Sequence, residues 1–319
     1  MNLKKKLYQF AHRILSENYT DHRISYKIYD LCGSDVCPVE AYYHHNGSPC
    51  ILNVKLEHCR WYGGSGLSYS STSLHPYVQT LVEYEQINHR EYRGSYLERY
   101  WEAWQPANLA AYFDIDKSTA HPLLLKTPPN HNILPWLPAD CISYMKNSDW
   151  LRRSDYRSLL DDGAPPARSC GPKPYWFGNT RFNHLLTIYQ SIKKNGYQID
   201  SSEREAIQYK HMEGVCLLRD NEVRILVADG QHRASALAAL QHDRVPMLFY
   251  LINKRNPGII RREEVGFWPL VQEKIFTIEQ ALAIFDRIFD ANPPKEIKAL
   301  KLTANSINRS DVKGLKSVP

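Results

Sequence analysis

Residues 224–252 read RILVADGQHRASALAALQHDRVPMLFYLI, and the order of apolar run, glycine turn, small-residue stretch and second apolar run governs how the rest of the chain is read. Ile225 to Ala228 has the unbroken apolar character of a buried strand, and it stops at Asp229-Gly230. Gly230 can take positive φ and lets another group approach the backbone closely. Ala234, Leu237, Ala238 and Leu240 then recur at helical spacing, and VPMLFYLI reads as another buried strand. A helix opening at such a turn presents its first N–H groups and its positive dipole end there, which makes an anion site. His232 and Arg233 stand at the same place, and arginine suits bidentate phosphate contacts. The same residues also fit an ordinary strand–turn–helix whose His and Arg only bond their neighbours.

The flanks extend the pattern in both directions. GVCLLRDNEVRILVADG, residues 214–230, is two apolar runs around Asp220-Asn221, a hairpin by pattern. Before it, RFNHLLTIYQSIKKNGY places Phe182, Leu185, Leu186, Tyr189 and Ile192 on one helical face, with Lys193 and Lys194 in the last turn and Gly196 as the stop. After it, FTIEQALAIFDRIFDANPP carries a capping box at Thr277 and Gln280, an apolar face of Leu282, Phe285 and Phe289, and a stop at Pro293-Pro294.

This order of helix, strand, strand ending VADGQHRASALAAL, and strand beginning RVPMLF resembles the ParB/sulfiredoxin-like superfamily over about residues 181–252. The resemblance implies an α+β fold in which residues 175–303 form a nucleotide-binding domain. Related proteins include sulfiredoxins, free-serine kinases, chromosome-partition CTPases and DNA-modification regulators with a DGQHR signature, which share a nucleotide or phosphate at this turn. By the resemblance Gly230, Gln231, His232, Arg233 and Ser235 bind the nucleotide. Asp229 lies beside a Mg²⁺ ion or the phosphoryl acceptor, and Glu213, His232 and Asp229 are the candidates for catalysis. Two departures narrow the choice. Gln231 stands where a sulfiredoxin carries cysteine, which argues against sulfinic acid repair. Chromosome-partition proteins carry an arginine-rich turn and a following helix-turn-helix, whereas Pro257 to Asp290 offers one convincing helix. The expectation is an ATP-dependent phosphotransferase with Mg²⁺ and a small hydroxylated acceptor. The alternative is a nucleotide-dependent regulator of DNA or of a protein partner. A nuclease needs clustered acidic metal ligands, and the sequence does not supply them.

The N-terminal half is read as a separate, mixed and aromatic-rich accessory domain over residues 1–126, which shapes the acceptor site. IYDLCGSDVCPVEAYYHHNGSPCILNVKLEHCRWY reads as strands or extended segments. HPYVQTLVEYEQI and SYLERYWEAW read as helices, the second with Tyr96, Tyr100, Trp101 and Trp104 at helical spacing. That stripe suits a core, and less often a sugar ring or a base. SYLERYWEAWQPAN and the LPW segment are similar to proteins of bacterial surface-polysaccharide clusters, which puts a sugar or a polysaccharide precursor among the acceptors without assigning any residue a role. WYGGSGLSYSSTS lacks the Lys-Ser or Lys-Thr of a P-loop and reads as a flexible loop. Cys32, Cys37, Cys50 and Cys59 lie near His44, His45 and His58, but their spacing matches no standard zinc site, so ordinary thiols are expected. Residues 127–174, rich in proline, read as a connecting region, and residues 304–319 as a loose polar tail.

Composition sets the outer limits. The chain has 319 residues, 43% hydrophobic and 23% charged, which suits globular domains with real cores. A net charge of +6 and a pI near 8.8 fit an anionic ligand but fall short of a dedicated nucleic-acid binder. No apolar stretch reaches the length of a membrane span. MNLKKKLYQFAHRILSENY has no continuous apolar region, so it reads as an amphipathic helix packed on the body, or less readily on a membrane surface, rather than as a secretory signal. Seven cysteines, an odd number, fit a reduced cytoplasmic compartment.

Overall fold

The computed structural model describes residues 27–129, 133–139, 169–197, 211–249 and 258–300. The fold is α+β around one mixed sheet of seven strands. In chain order its elements are β1 (Tyr29–Asp30), α1 (Pro38–His44), β2 (Cys50–Lys55), β3 (Cys59–Trp61), α2 (Pro76–Ile87), α3 (Tyr96–Ala103), α4 (Tyr175–Asn195), β4 (Met212–Arg219), β5 (Glu222–Asp229), α5 (Gln231–Ala239), β6 (Arg244–Phe249), β7 (Ile259–Arg261) and α6 (Ile278–Phe289), with shorter helical turns between them.

β4 and β5 form the expected hairpin, with Arg219 opposite Glu222 and Asp220 turned to φ 53°. The hairpin sits inside the sheet, whose order is β1-β2-β6-β4-β5-β3. β2 runs antiparallel to β6 along its whole length, from Cys50 opposite Phe249 to Lys55 opposite Arg244, and β3 runs parallel to β5. Residues 50–61 and 212–261 therefore build one sheet, and the boundary drawn between residues 1–126 and 175–303 does not divide it. The turn residues give no hint of this, because pairing across so long a separation leaves no local trace. β6 and β7 both pair with β4 in parallel, β6 at Met212–Glu213 and β7 at Cys216–Leu218.

The helices pack as their patterns require. In α4, Phe182, Leu185, Leu186, Tyr189 and Ile192 are buried, and Gly196 closes the helix at φ 74°. The Thr277 hydroxyl accepts from the Gln280 amide and the Gln280 side chain accepts from the Thr277 amide, so α6 has its capping box. Its buried face is Ala281, Ile284, Phe285, Ile288 and Phe289, so Ile284 and Ile288 take the place that Leu282 was expected to hold. Tyr96, Tyr100, Trp101 and Trp104 are all buried, and Tyr100 donates its hydroxyl proton to the Ser169 carbonyl at 2.9 Å. That stripe is core.

Two readings of the N-terminal half need correction. Pro38–His44 is a helix, not an extended segment: Pro38 opens its first turn, the Cys37 thiol accepts from the Glu40 amide, and the Glu40 carboxylate accepts from the Cys37 amide. A cysteine in the role usually held by Ser or Thr hides this cap. The glycine-rich stretch is a packed loop, with Gly63, Gly64, Ser65, Gly66, Leu67 and Tyr69 buried. A Cβ at Gly66, whose φ is +65°, would lie 2.7 Å from the Arg287 carbonyl, so the glycine serves close approach. In the proline-rich region the described residues form no α-helix or strand, yet Trp136 is buried with its ring 5.3 Å from that of Trp268. Cys50 and Cys59 are buried, Cys32 and Cys37 are partly so, and no group of three or more metal-ligating side chains occurs among the described residues. The readings of the N-terminal helix, of residues 304–319 and of Tyr250–Ile252 fall outside the described residues.

Candidate functional site

β5 delivers Asp229 to the sheet's rim, and Gly230 turns the chain at φ 81°, ψ 22° into α5. A Cβ at Gly230 would sit 2.5 Å from Met212 Cγ and 3.1 Å from Met212 Cα. Both the dihedral and the space thus demand glycine. Gly230 is the N-cap residue and makes no side-chain cap, and the positive dipole end of α5 opens at this turn. Ala234, Ser235, Ala236, Leu237 and Ala238 are buried, and their small size lets α5 lie against α2, α4 and β4 at once.

A cleft of about 550 Å³ lies between α4 and this turn. Asp229, Gly230, Gln231, His232 and Arg233 line one side; Arg181, His184, Ile188, Ser191 and Asn195 on α4 line the other. The arginines and histidines give the cleft a basic character, and among the described residues Asp229 is the one carboxylate along its walls. Arg233 donates from Nη2 to the His211 carbonyl at 3.1 Å and lies 3.8 Å from the Asp229 carboxylate. His232 stacks on Tyr77 with ring centres 4.7 Å apart and meets the edge of His184 at 5.1 Å. The Gln231 Oε1 accepts from Trp61 Nε1 at 3.0 Å, which pins the first residue of α5 to the end of β3.

Glu213 stands opposite Asp229 on the adjacent strand, at a register shift between Glu213 and Gly214. Burial first, and then the Asp229 carboxylate, push the Glu213 carboxyl up to about 7, against the pull of Arg233. Two carboxylates thus flank the turn, one exposed and one held near neutrality, which is how acid and base roles are separated. His184 is lowered by burial and by the charge of Arg181.

Five of the seven residues singled out from the sequence, Asp229 to Arg233, meet at the cleft. Glu213 lies beside them without lining it. Ser235 is fully buried, and its hydroxyl donates to the Gln231 carbonyl at 2.8 Å, so it faces the core and supports the turn from behind. Trp61 and Tyr77, which fix Gln231 and His232, carry no signal of that role in the sequence. Arg181 does carry one that the pattern reading passed over: it sits on the polar side of an amphipathic helix preceding the hairpin.

Gly230→Val is expected to lower stability by about 2 kcal/mol from the left-handed conformation alone, since each L residue there costs roughly 1–2 kcal/mol and β-branching adds to it. Thermal melting and anion affinity should fall together; a variant matching the parent in both would make the turn an ordinary one.

No family model, no curated protein and no solved structure matches the chain.

Proposed function

We propose that the chain is an ATP-dependent phosphotransferase for a small hydroxylated acceptor, with the nucleotide held at Asp229–Arg233 in a ParB/sulfiredoxin-like unit. The observation that carries this reading is the meeting, at one cleft, of a helix N-terminus, a left-handed glycine, two basic side chains and the Asp229 carboxylate, with Glu213 opposite Asp229 on the adjacent strand. The order α4, β4, β5, α5, β6 supports the same reading. Phosphoryl transfer asks a protein chiefly for positioning and charge neutralisation. Arg233 and the first turn of α5 supply both to the phosphate chain, and His232, braced by Tyr77, adds a donor at the next position.

The donor set also fits Mg²⁺, which is commonly held by one or two carboxylates with phosphate oxygens and water completing the shell. Asp229 would hold it, and the ion would neutralise charge on the transferred group. Glu213, with its carboxyl near 7, would take the proton of the acceptor hydroxyl as that oxygen bonds to the γ-phosphorus and the bond from that phosphorus to the departing ADP breaks. The sugar class of acceptor fits the polar cleft wall of Ser191 and Asn195.

Arg233→Ala is expected to weaken binding of a non-hydrolysable ATP analogue at least tenfold, as a charge-assisted phosphate contact is worth roughly 1.5–3 kcal/mol. Its cost to the fold should be on the order of 1–2 kcal/mol, because it gives up the bond to the His211 carbonyl, the contact with Tyr197 and the partly exposed ion pair to Asp229. Calorimetric titration and melting of the same samples separate the two. Unchanged affinity in the variant removes phosphate from this turn. Binding of ATP with no transfer to any hydroxylated acceptor makes the site a switch instead of a kinase.

A further inference from the structure

The glycine-rich loop of residues 63–66 lines no part of the cleft, yet it anchors a side chain that reaches the turn. Trp61 ends β3, its amide donates to the Leu67 carbonyl at 2.8 Å, and Arg60 pairs with Ser68, so the loop folds back onto the strand. In the sheet Trp61 stands opposite Val227, two residues before Asp229. Its buried indole packs against His75, Tyr77 and Tyr100, with ring centres 4.8, 5.8 and 6.2 Å away. Three neighbouring rings leave the indole little room to turn.

The indole N–H can only donate. It lies 3.0 Å from the Gln231 side chain, so the amide oxygen of Gln231 must face it. The nitrogen of that amide is thereby turned away from Trp61. Among the described residues it meets no hydrogen-bond partner, and it is not shut away from solvent. Gln231 is half-buried and lines the cleft. Its backbone is fixed as well: the Ser235 hydroxyl holds the Gln231 carbonyl at 2.8 Å, and Gly230 sets the turn just before it. Both N–H donors of a neutral amide are therefore preset at the first residue of α5, two positions before Arg233.

We propose that the Gln231 amide nitrogen is a phosphate-binding donor of the cleft and that Trp61 is its positioning residue. The group it selects is an oxygen that only accepts, as on an ionised phosphate. An amide turned the other way would show its own oxygen to the same group and repel it, and the bond to Trp61 removes that alternative before the ligand arrives. A neutral donor beside Arg233 thus adds direction to the site without adding charge. The glycine-rich loop acquires a role by the same argument, since it holds the strand end that carries Trp61. This deepens the phosphotransferase reading and rests on it for the nucleotide; the donor itself requires only a phosphate oxygen.

The test titrates the full chain with two probes, inorganic pyrophosphate and a non-hydrolysable ATP analogue, and melts the same samples. Gln231→Met removes the donor and should weaken both probes at least tenfold, the loss of a hydrogen bond to a charged group. Trp61→Phe keeps a ring, removes the indole N–H and frees the amide to turn. It should weaken both probes about two- to tenfold, the cost of ordering one flexible side chain on binding. The double variant should bind no worse than Gln231→Met alone, because without the amide there is nothing to orient. It also replaces donor and acceptor together by apolar groups, so it should melt near the parent. Gln231→Glu leaves Trp61 its acceptor but turns a second oxygen toward the cleft, and it should bind more weakly than Gln231→Met. Parental affinity for both probes in Gln231→Met, or losses that simply add in the double variant, overturns the proposal. A parent that binds pyrophosphate through Gln231 but not the analogue sinks the nucleotide reading and keeps the donor; a parent that binds neither overturns the donor.

Discussion

Acidification from pH 6.5 toward pH 3 is expected to cost the fold on the order of 4 kcal/mol through His75 alone, at about 1.36 kcal/mol for each pH unit separating its folded and unfolded titrations. His75 is fully buried, packed 4.5 Å from the Tyr69 ring and 4.8 Å from the Trp61 ring. Among the described residues neither of its ring nitrogens has a hydrogen-bond partner. Burial, and after it the charge of His232, hold its imidazole down to about 3, against an ordinary value of 6.5. The folded chain therefore keeps His75 neutral where the unfolded chain protonates it. Stability from this group is complete above pH 6.5, falls as pH drops below that value, and levels off near pH 3, where both states carry the proton. His75→Phe keeps an aromatic ring and removes the titration. Denaturant unfolding of parent and variant at several pH values isolates the effect from the carboxylates common to both. The variant should gain on the parent by roughly 1 kcal/mol per pH unit below about pH 6. A difference between the two that stays constant from about pH 7 to pH 4 would show that His75 is not held neutral.

His75 matters to the cleft because it belongs to the wall behind it. Trp61, which packs on His75, also donates to Gln231, and Tyr77, 5.8 Å from His75, is the ring on which His232 stacks. A charge on His75 would repel any charge on His232, since the charge of His232 already lowers His75. The same aromatic group thus fixes the two residues that follow Gly230. Loosening of this group in acid should therefore reach the cleft before the far edge of the sheet.

What the sequence disclosed follows from the range of each interaction. The hairpin at Asp220, the stop at Gly196 and the cap at Thr277 are set by residues a few positions apart, and all three stand where pattern places them. The meeting of Asp229, Gly230, His232 and Arg233 is legible for the same reason: a strand end, a turn and a helix start hold them together locally. The pairing of β2 with β6 and β3 with β5 is not legible, because the partners lie far apart in the chain and each strand alone reads as an apolar run. Ser235 is misplaced by proximity in sequence. It stands one turn after Gln231, but on α5 that position points toward the core instead of the cleft, and its hydroxyl bonds back to the helix. Spacing alone sets no distance from Glu213 to the turn; the β4–β5 register supplies it, because a hairpin returns Glu213 to the level of Asp229.

Asp229→Asn is expected to lower phosphotransfer turnover on the order of 10²-fold or more, the loss common to a missing acid–base or metal-holding carboxylate. The side chain is 65% exposed at the cleft, and its ion pair is the 3.8 Å approach to Arg233. Asp before Gly often caps the next helix, and a lost cap costs about 0.5–2 kcal/mol. Here Gly230, and not Asp229, is the N-cap residue of α5, so the amide should leave stability within about 0.5 kcal/mol of the parent. Analogue affinity without Mg²⁺ should be kept or slightly raised, because a negative charge beside the phosphates is gone. The pH dependence supplies an independent reading. Asp229 is one of the causes that raise the Glu213 carboxyl to about 7, so its neutralisation should move the acidic limb of the residual activity to lower pH. In the proposed phosphotransferase the base would become available sooner, yet the rate would stay low for want of the metal-holding charge. A merely structural Asp229 would move neither the rate nor the limb. Turnover at the parent's rate in the Asn variant would leave the phosphotransferase reading without its best-placed carboxylate.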